Sequence, residues 1–243
     1  MARGGGKRTG AKQGRGRSAR RWILKWALRV GLALFLLTVL QTLAVGFINP
    51  PCTVRAAASW FLSGGRGRVH DLRGRWRPLE RISPHLRRAV LAGEDQRFLQ
   101  HHGFDLRELL DALGDLVSGR GRRGASTISM QVARTVFLWP ERTWPRKLAE
   151  AYYTVLIESL WNKARILEVY LNTVDWGTRI VGAESAARTY FRVSCGRVSR
   201  LEAALLAAVL PNPHRWSPRR PNGRVLMRLR KILRDMDKMP LVS

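Results

Sequence analysis

The stretch that decides the architecture of this chain is SPHLRRAVLAGEDQRFLQHHG, residues 83–103. Its first half predicts a helix that begins at the N-cap Ser83 and at Pro84, with leucine, alanine and valine along one apolar face. Two adjacent carboxylates, Glu94 and Asp95, follow at the end of that helix. Carboxylates oppose the helix dipole there, so the pair is either a solvated last turn or an acid–base group placed for chemistry.

From about residue 79 onward the pattern is typical of an all-α domain, without a convincing run of alternating strand residues. Ser126 or Thr127, Thr143 and Asn162 are placed to start three of the helices. We predict helices over residues 105–117, 125–138, 143–160, 163–172, 182–190, 201–210 and 224–239. The first of these carries leucines at helical spacing that are expected to enter the core: Leu106, Leu109, Leu110, Leu113 and Leu116.

A membrane anchor is predicted near the N-terminus. Val30–Ile48 is 19 residues long and free of charge, which is about the length that crosses a bilayer, and Trp22 and Trp26 stand at its basic flank. Residues 1–29 hold ten basic residues and no acid, so the positive-inside rule predicts a cytoplasmic N-terminus and an exported domain. The alternative is a cleaved signal peptide, but the apolar run is long for that role.

The chain therefore divides into four predicted segments. Residues 1–21 form a disordered basic cytoplasmic tail, residues 22–49 the transmembrane anchor, residues 50–78 a juxtamembrane connector and residues 79–243 the helical domain. Trp76 lies among several arginines of the connector, where we expect it to hold the domain against anionic lipid.

The charge balance restricts the class of partner. Lys and Arg number 44 against 17 Asp and Glu, a formal net charge of +27, and the chain beyond residue 29 still carries +17. Such a charge favours anionic lipid, a phosphorylated substrate or nucleic acid. A non-enzymatic basic protein is therefore one hypothesis, although a basic tail beside a membrane span more simply serves topology, and we expect no nucleic-acid partner.

Cysteines and histidines indicate no metal site. Cys52 and Cys195 would face an oxidising compartment and could pair, but one lies beside the predicted membrane span and the other far along the chain. The histidines are scattered, and His101 and His102 are too close in sequence to chelate one ion from a helix.

Polar clusters at helix starts and ends carry the functional hypothesis. Each has an ordinary explanation by itself, because Arg146 and Glu150 have the i,i+4 spacing of a surface pair and Ser126 suits a helix cap. Together they form five ordered motifs: E-D-x-x-F-x-x-H-x-G at 94–103, G-x-S-T-I-x-x-Q at 124–131, R-K-x-x-E at 146–150, K-x-x-I-L-E-x-Y-L-N at 163–172 and R-x-x-x-(V/I)-L-x-x-M at 228–236.

Over about residues 76–239 the chain resembles the peptidoglycan glycosyltransferase (transglycosylase) family, glycosyltransferase family 51, and specifically its monofunctional biosynthetic branch. The resemblance implies a mostly α, lysozyme-like domain with a head and a smaller membrane-facing jaw. It also implies polymerisation of lipid II, the lipid-linked disaccharide-pentapeptide, into glycan strands with release of undecaprenyl pyrophosphate. Other cell-wall synthesis proteins are expected partners, no cofactor is required, and a divalent cation could assist.

The resemblance also assigns roles to residues of this sequence. Glu94 would be the general base at the sugar 4-hydroxyl of the acceptor, and Glu150 a second acid near the leaving pyrophosphate. The substrate-binding residues would be Asp95, Phe98, His101, Ser126, Thr127, Gln131, Arg134, Arg146, Lys147, Lys163 and Asn172.

The chemistry of these residues is consistent with that activity. A sugar hydroxyl needs a base within hydrogen-bond reach, and a pyrophosphate leaves as an anion that cations stabilise. A glycoside hydrolase instead needs a protonated carboxylic acid beside a second carboxylate, so a base surrounded by Arg and Lys favours transfer over hydrolysis. A lysozyme-like lytic hydrolase remains the alternative. A single displacement predicts an inverted product.

The motifs depart from the usual pattern at three positions. Met130 stands where a second Gln is common, Arg134 replaces Lys, and Thr135 replaces Asn. Arg keeps the charge but differs from Lys in shape, which affects the expected donor contacts and not the base. The chain contains no Ser-x-x-Lys and no Lys-Thr-Gly, so no transpeptidase activity is expected.

Overall fold

The computed structural model describes residues 11–62, 64, 72, 74–119, 124–141 and 143–242. Contacts divide the chain into two units, residues 1–44 and 45–243. The described part is mostly helical, as the sequence predicts.

The first unit consists of most of helix α1, Ala11–Phe47. Its segment Arg20–Phe47 is long and apolar enough to cross a membrane, and its leucines are largely exposed. The disordered tail was expected over residues 1–21. Residues 1–10 lie outside the described part, whereas residues 11–21 form the first turns of α1 because Ala, Arg, Lys and Gln favour continuation of the helix.

The second unit contains nine α-helices, three short 3-10 helices and one small hairpin among the residues that the structure describes. In chain order the α-helices and strands are α2 (Val54–Leu62), α3 (Pro84–Glu94), α4 (Leu106–Val117), α5 (Ile128–Phe137), α6 (Trp144–Leu160), α7 (Lys163–Thr173), β1 (Asp175–Gly177), β2 (Ile180–Val181), α8 (Ala183–Phe191), α9 (Arg200–Val209) and α10 (Gly223–Asp235).

Local sequence signals set the helix starts. The side chains of Thr127, Thr143 and Asn162 accept the backbone N–H groups that open α5, α6 and α7. Ser83 precedes α3 as predicted, but its hydroxyl makes no cap and instead donates to the carbonyl oxygen of Val198 at 2.8 Å. Ser83 therefore occupies the predicted N-cap position, but its side chain does not form the capping hydrogen bond.

The core forms where two groups of helices pack. Helix α3 packs on α9, which packs on α10, while α5 packs on α6 and α7. The apolar face of α3 is buried, and the alanines of α9 let its neighbours approach closely. This packing brings the end of α3, the start of α5 and one face of α10 close together.

The hairpin was not predicted. Strands β1 and β2 pair antiparallel, with Asp175 opposite Val181 and Gly177 opposite Ile180. Strands of three and two residues are too short to show alternation, so periodicity could not reveal them.

The prediction that the leucines of α4 enter the core is wrong. Leu106, Leu109, Leu110 and Leu113 are between 45% and 67% exposed, and the side chain of Leu116 lies outside the described residues. Helical spacing shows that a helix has an apolar face, but it does not show what covers that face. Helix α4 therefore presents an apolar row to its surroundings.

The connector also differs from expectation. Trp76 is buried, and its indole N–H donates to Glu168 Oε1 at 3.0 Å instead of facing lipid. The arginines at positions 66, 68 and 73 lie outside the described residues. Cys52 and Cys195 are not joined, and burial raises the pKa of the Cys195 thiol to about 12, so it stays protonated at neutral pH.

The buried carboxylate of Glu184 connects α8 to Cys195 and Arg77, and we expect it to make the stability of the fold depend on pH in the acidic range. Burial acts to raise the pKa of Glu184, but the N–H of Cys195 and the guanidinium groups of Arg188 and Arg77 lower it to about 2. A depressed pKa stabilises the fold above the ordinary value of 4.5, and this contribution is lost as pH falls toward 2.

We therefore expect Glu184→Gln to lower the free energy of unfolding at pH 7 by about 2 kcal/mol, and by less near pH 2. Thermal unfolding of both proteins across this pH range measures the difference. A difference that is the same at both ends of the range would contradict the assignment.

Candidate active site

Glu94 lies at the end of α3 and its carboxylate is held on both oxygens. Arg228 Nη2 on α10 donates to Oε1 at 3.0 Å, and Gln131 Nε2 on α5 donates to Oε2 at 3.2 Å. Only 12% of the side chain is exposed. Three helices thus meet at one carboxylate.

The surroundings of Glu94 act on its pKa in opposite directions. Burial raises the pKa, and Asp95 raises it further, while Arg228, the hydrogen bond from Gln131 and Arg134 lower it. The net effect is a raised pKa, which brings the carboxylate nearer to the basicity that a proton acceptor needs at neutral pH.

Asp95 joins the end of α3 to the start of α5. Its Oδ2 accepts the N–H of Ile128 at 3.0 Å, and its Oδ1 pairs with His101 Nε2 at 2.9 Å. The hydroxyl of Thr127 donates to the carbonyl oxygen of Gly103 at 2.6 Å and holds the same loop from the other side. Residues 94–103 therefore include a loop that is attached to the start of α5 by the hydrogen bonds of Asp95 and Thr127.

A groove with a cavity of about 420 Å³ opens beside Glu94. It brings together six of the predicted site residues: Glu94, Asp95, Ser126, Thr127, Gln131 and Arg134. Arg228 and Lys231 of α10 also line it, although neither was among the predicted site residues. The closing motif begins at Arg228, so the signal that could have found this residue was present. The groove places the Glu94 carboxylate beside three cationic side chains, those of Arg134, Arg228 and Lys231, and it is also lined by Asp95, Asp105 and Glu108.

Glu150 lies apart from the residues that line this groove. It is fully buried in α6, where Oε2 accepts from Arg146 Nη1 at 2.7 Å and Oε1 from Lys147 Nζ at 2.7 Å. The R-K-x-x-E motif therefore forms a closed ion-pair cluster on one helix. Its two cations share a single carboxylate, which leaves this part of the domain positively charged.

Lys163 supports the loop that follows α3. Its ammonium donates to the carbonyl oxygen of His101 at 2.7 Å and to Glu158 Oε1 at 2.8 Å, and it lies 4.6 Å from the centre of the Phe98 ring. Phe98 is itself buried. Neither Lys163 nor Phe98 is among the residues that line the groove, and both stabilise the loop between α3 and α4.

The amide of Asn172 links α7 to the segment before α3. Its Oδ1 accepts the N–H of Arg77 at 2.8 Å, and its Nδ2 donates to the carbonyl oxygens of Arg77 and Glu168. It therefore connects α7 to the connector, away from the residues that line the groove.

One cluster of described residues has the spacing of metal ligands. Atoms of Asp95, His101 and Asp105 lie within 4.8 Å of one another. However, the Arg97 guanidinium binds both oxygens of Asp105, with Nε to Oδ2 at 2.8 Å, and Asp95 already accepts from Ile128. Arg97 therefore occupies both oxygens of Asp105, and both oxygens of Asp95 lie within hydrogen-bond distance of Ile128 or His101, so the coordination capacity of the cluster is already largely used.

The three departures from the motif have different positions. Met130 is buried in α5 and Thr135 is partly buried, and neither is among the residues that line the groove. Arg134 does line it and lowers the pKa of Glu94. Of the three departures, the replacement of Lys by Arg at position 134 is therefore the one that lies in the groove.

Comparisons with known proteins identify the family of the chain. The family model described as Transglycosylase matches residues 65–237. The biosynthetic peptidoglycan transglycosylase of Ectopseudomonas mendocina is 46% identical over 206 residues, which cover 85% of each chain. Those of Caulobacter vibrioides and Rhodospirillum centenum are 43% identical over 221 residues and 55% identical over 163 residues, covering 89% and 67% of this chain and 92% and 70% of theirs. The chain therefore belongs to the family of biosynthetic peptidoglycan transglycosylases.

Proposed function

We propose that the protein polymerises lipid II into peptidoglycan glycan strands, with Glu94 as the general base. The observation that carries the proposal is a buried carboxylate in a groove that Arg134, Arg228 and Lys231 also line. Glu94 would accept the proton of the sugar 4-hydroxyl of lipid II as that oxygen attacks the anomeric carbon of the growing strand. The bond from that carbon to undecaprenyl pyrophosphate breaks in the same step.

The cations of the groove suit the leaving group. A diphosphate departs as a stable anion, so guanidinium and ammonium groups stabilise its developing charge without transferring a proton. Arg134 and Arg228 lie close enough to Glu94 to lower its pKa, which places positive charge beside the proposed reacting oxygen. Arg146 and Lys147 would extend this field toward the diphosphate, with Glu150 as the acid that orients them. One displacement inverts the configuration at the anomeric carbon.

No resident metal is needed for this chemistry. The oxygens of Asp95 and Asp105 already accept hydrogen bonds from the protein, and the side-chain cations supply positive charge for the diphosphate. Cross-linking of the strands is left to other proteins of cell-wall synthesis.

The proposed location is the bacterial inner membrane. Helix α1 supports a single-pass anchor, and the basic residues on the N-terminal side of its apolar segment favour a cytoplasmic N-terminus with the helical domain outside. Anchoring confines the enzyme and its lipid-linked substrate to one surface, which raises the rate of encounter. The exposed leucines of α4 would then lie in the lipid interface as part of the membrane-facing jaw.

Product analysis tests the proposed reaction against the hydrolase alternative. Incubated with lipid II, the wild-type protein should produce lengthening glycan strands and one undecaprenyl pyrophosphate for each bond formed. Incubated with isolated sacculi, it should release no shortened muropeptides. Release of muropeptides without chain growth from lipid II would support the lytic hydrolase and exclude the polymerase.

The apolar row of α4 gives a separate prediction. Replacing Leu110, which is 67% exposed, by Asp should lower turnover of lipid II in liposomes by about tenfold, because a charge replaces a side chain that enters lipid. In detergent micelles the loss should be smaller, since the apolar phase adapts to the protein. Leu201→Asp on α9, also an exposed leucine, is the matched control and should leave both rates unchanged. Equal losses in liposomes for both variants would contradict a special role of α4.

A further inference from the structure

A tyrosine hydroxyl lies beneath the groove without a role in the reaction proposed above. Tyr170 belongs to α7 and is 1% exposed. Its hydroxyl donates to Gln131 Oε1 at 3.3 Å. Gln131 in turn lies between Tyr170 and the carboxylate of Glu94. The three side chains therefore form a continuous polar chain from the core to the groove.

The neighbours of Gln131 determine which way its amide points. Its Nε2 donates to Glu94 Oε2 at 3.2 Å and lies 3.5 Å from the carbonyl oxygen of Ser126. Both of these groups are acceptors, so a reversed amide would place its oxygen against two other oxygens. The amide oxygen must then find a donor on the core side, and Tyr170 provides it.

We propose that Tyr170 is a positioning residue, which holds the amide of Gln131 so that its N–H stays directed at the carboxylate of Glu94. The inference rests on the proposed role of Glu94 as the base. Without the tyrosine hydroxyl, the amide oxygen of Gln131 would lose its donor in a partly buried position, and the amide would shift to find another. The base would then lose one of the two donors that fix its oxygens.

The consequence should appear in the pH dependence of the reaction. Several groups face Glu94 from the elements packed around it: Arg228 of α10, Arg134 and Gln131 of α5, the neighbouring Asp95, and Tyr170 of α7. Burial raises the pKa of Tyr170 well above its ordinary value, so the phenol keeps its proton and remains a donor. The N–H of Gln131 lowers the pKa of Glu94, and its loss therefore raises that pKa.

Tyr170→Phe is the direct test, because it removes one oxygen and leaves the ring in place. We expect kcat for lipid II polymerisation to fall by about tenfold with KM for lipid II unchanged. Glu94 must be ionised to act, so kcat rises with pH through its pKa. The acidic limb of the kcat profile should move to higher pH in the variant.

Tyr190→Phe is the matched control. The hydroxyl of Tyr190 donates to the carbonyl oxygen of Trp176 at 3.0 Å, and not to Gln131 or Glu94. Its removal should leave kcat and the acidic limb unchanged, even where the melting temperature falls. A loss of activity that merely followed stability would affect both tyrosine variants alike and would overturn the proposal.

A double-mutant cycle separates positioning from packing. Gln131→Leu should lower kcat and raise the acidic limb, and Tyr170→Phe should add no further change in that background. If Tyr170→Phe does not fold, the pH profile of Gln131→Leu is the deciding measurement. An acidic limb of kcat at the wild-type pH in that variant would overturn the proposal. Wild-type kcat and pH profile in folded Tyr170→Phe, or additive losses in the cycle, also overturn it. Glu94→Gln is assayed in parallel, since wild-type turnover in that variant would reject the base itself and not Tyr170.

Discussion

Replacing Glu150 by glutamine is expected to lower the free energy of unfolding by about 3 kcal/mol. Glu150 is fully buried and accepts from both Arg146 Nη1 and Lys147 Nζ at 2.7 Å. Glutamine has one acceptor oxygen, so one cation loses its partner and meets an N–H₂ group instead. Arg146 is itself buried, and a buried charge without a counter-charge is strongly destabilising.

Thermal unfolding measures this effect. For a chain of this size the melting temperature should fall by about 6–12 °C. Lys147→Met is the matched control and should cost less, because 44% of the lysine side chain is exposed and Arg146 still neutralises Glu150. An unchanged melting temperature in Glu150→Gln would contradict the account of this cluster.

Activity separates the two roles of Glu150. Well below the melting temperature of the variant, turnover of lipid II should still be reduced, since Arg146 and Lys147 have lost the carboxylate that orients them. Full recovery of turnover under those conditions would make Glu150 a structural residue only.

The sequence predicted most helix starts correctly, because a capping interaction depends only on a few neighbouring residues. Thr127, Thr143 and Asn162 cap their helices as the sequence indicates. The environment of α4 could not be predicted in the same way. Its leucines have the spacing of a core face, yet they are exposed, because burial depends on which partner the rest of the chain offers.

The same distinction applies to the site. The motif at 94–103 predicted Glu94 and Asp95 as functional, and the motif at 124–131 supplied Gln131, because each is a continuous stretch of sequence. The contact of Arg228 with Glu94 joins residues 134 positions apart, so it emerges only when α10 packs beside α3. The contact between Tyr170 and Gln131 likewise depends on how α7 packs on α5.

The largest expected effect on activity comes from Glu94→Gln. Glutamine keeps the shape of the side chain and can still accept from Arg228, but it cannot take the proton of the attacking hydroxyl. We expect turnover of lipid II to fall by about 10²–10⁴-fold, the usual contribution of a positioned general base. The melting temperature should change little, because one of the two hydrogen bonds to the side chain survives.

Glu80→Gln is the control for this change. Glu80 is an exposed carboxylate in the turn before α3, outside the residues that line the groove. Its replacement makes the same chemical change and should leave turnover unaffected. Loss of turnover in both variants would indicate a general effect of charge and not the loss of a base.

The most direct test of the account is the initial rate of glycosidic bond formation from lipid II by Glu94→Gln, measured beside the wild-type protein with both shown to be folded. The wild-type protein should extend glycan strands, and the variant should form almost none. Strand growth by Glu94→Gln at the wild-type rate would contradict the central claim that this carboxylate activates the acceptor hydroxyl.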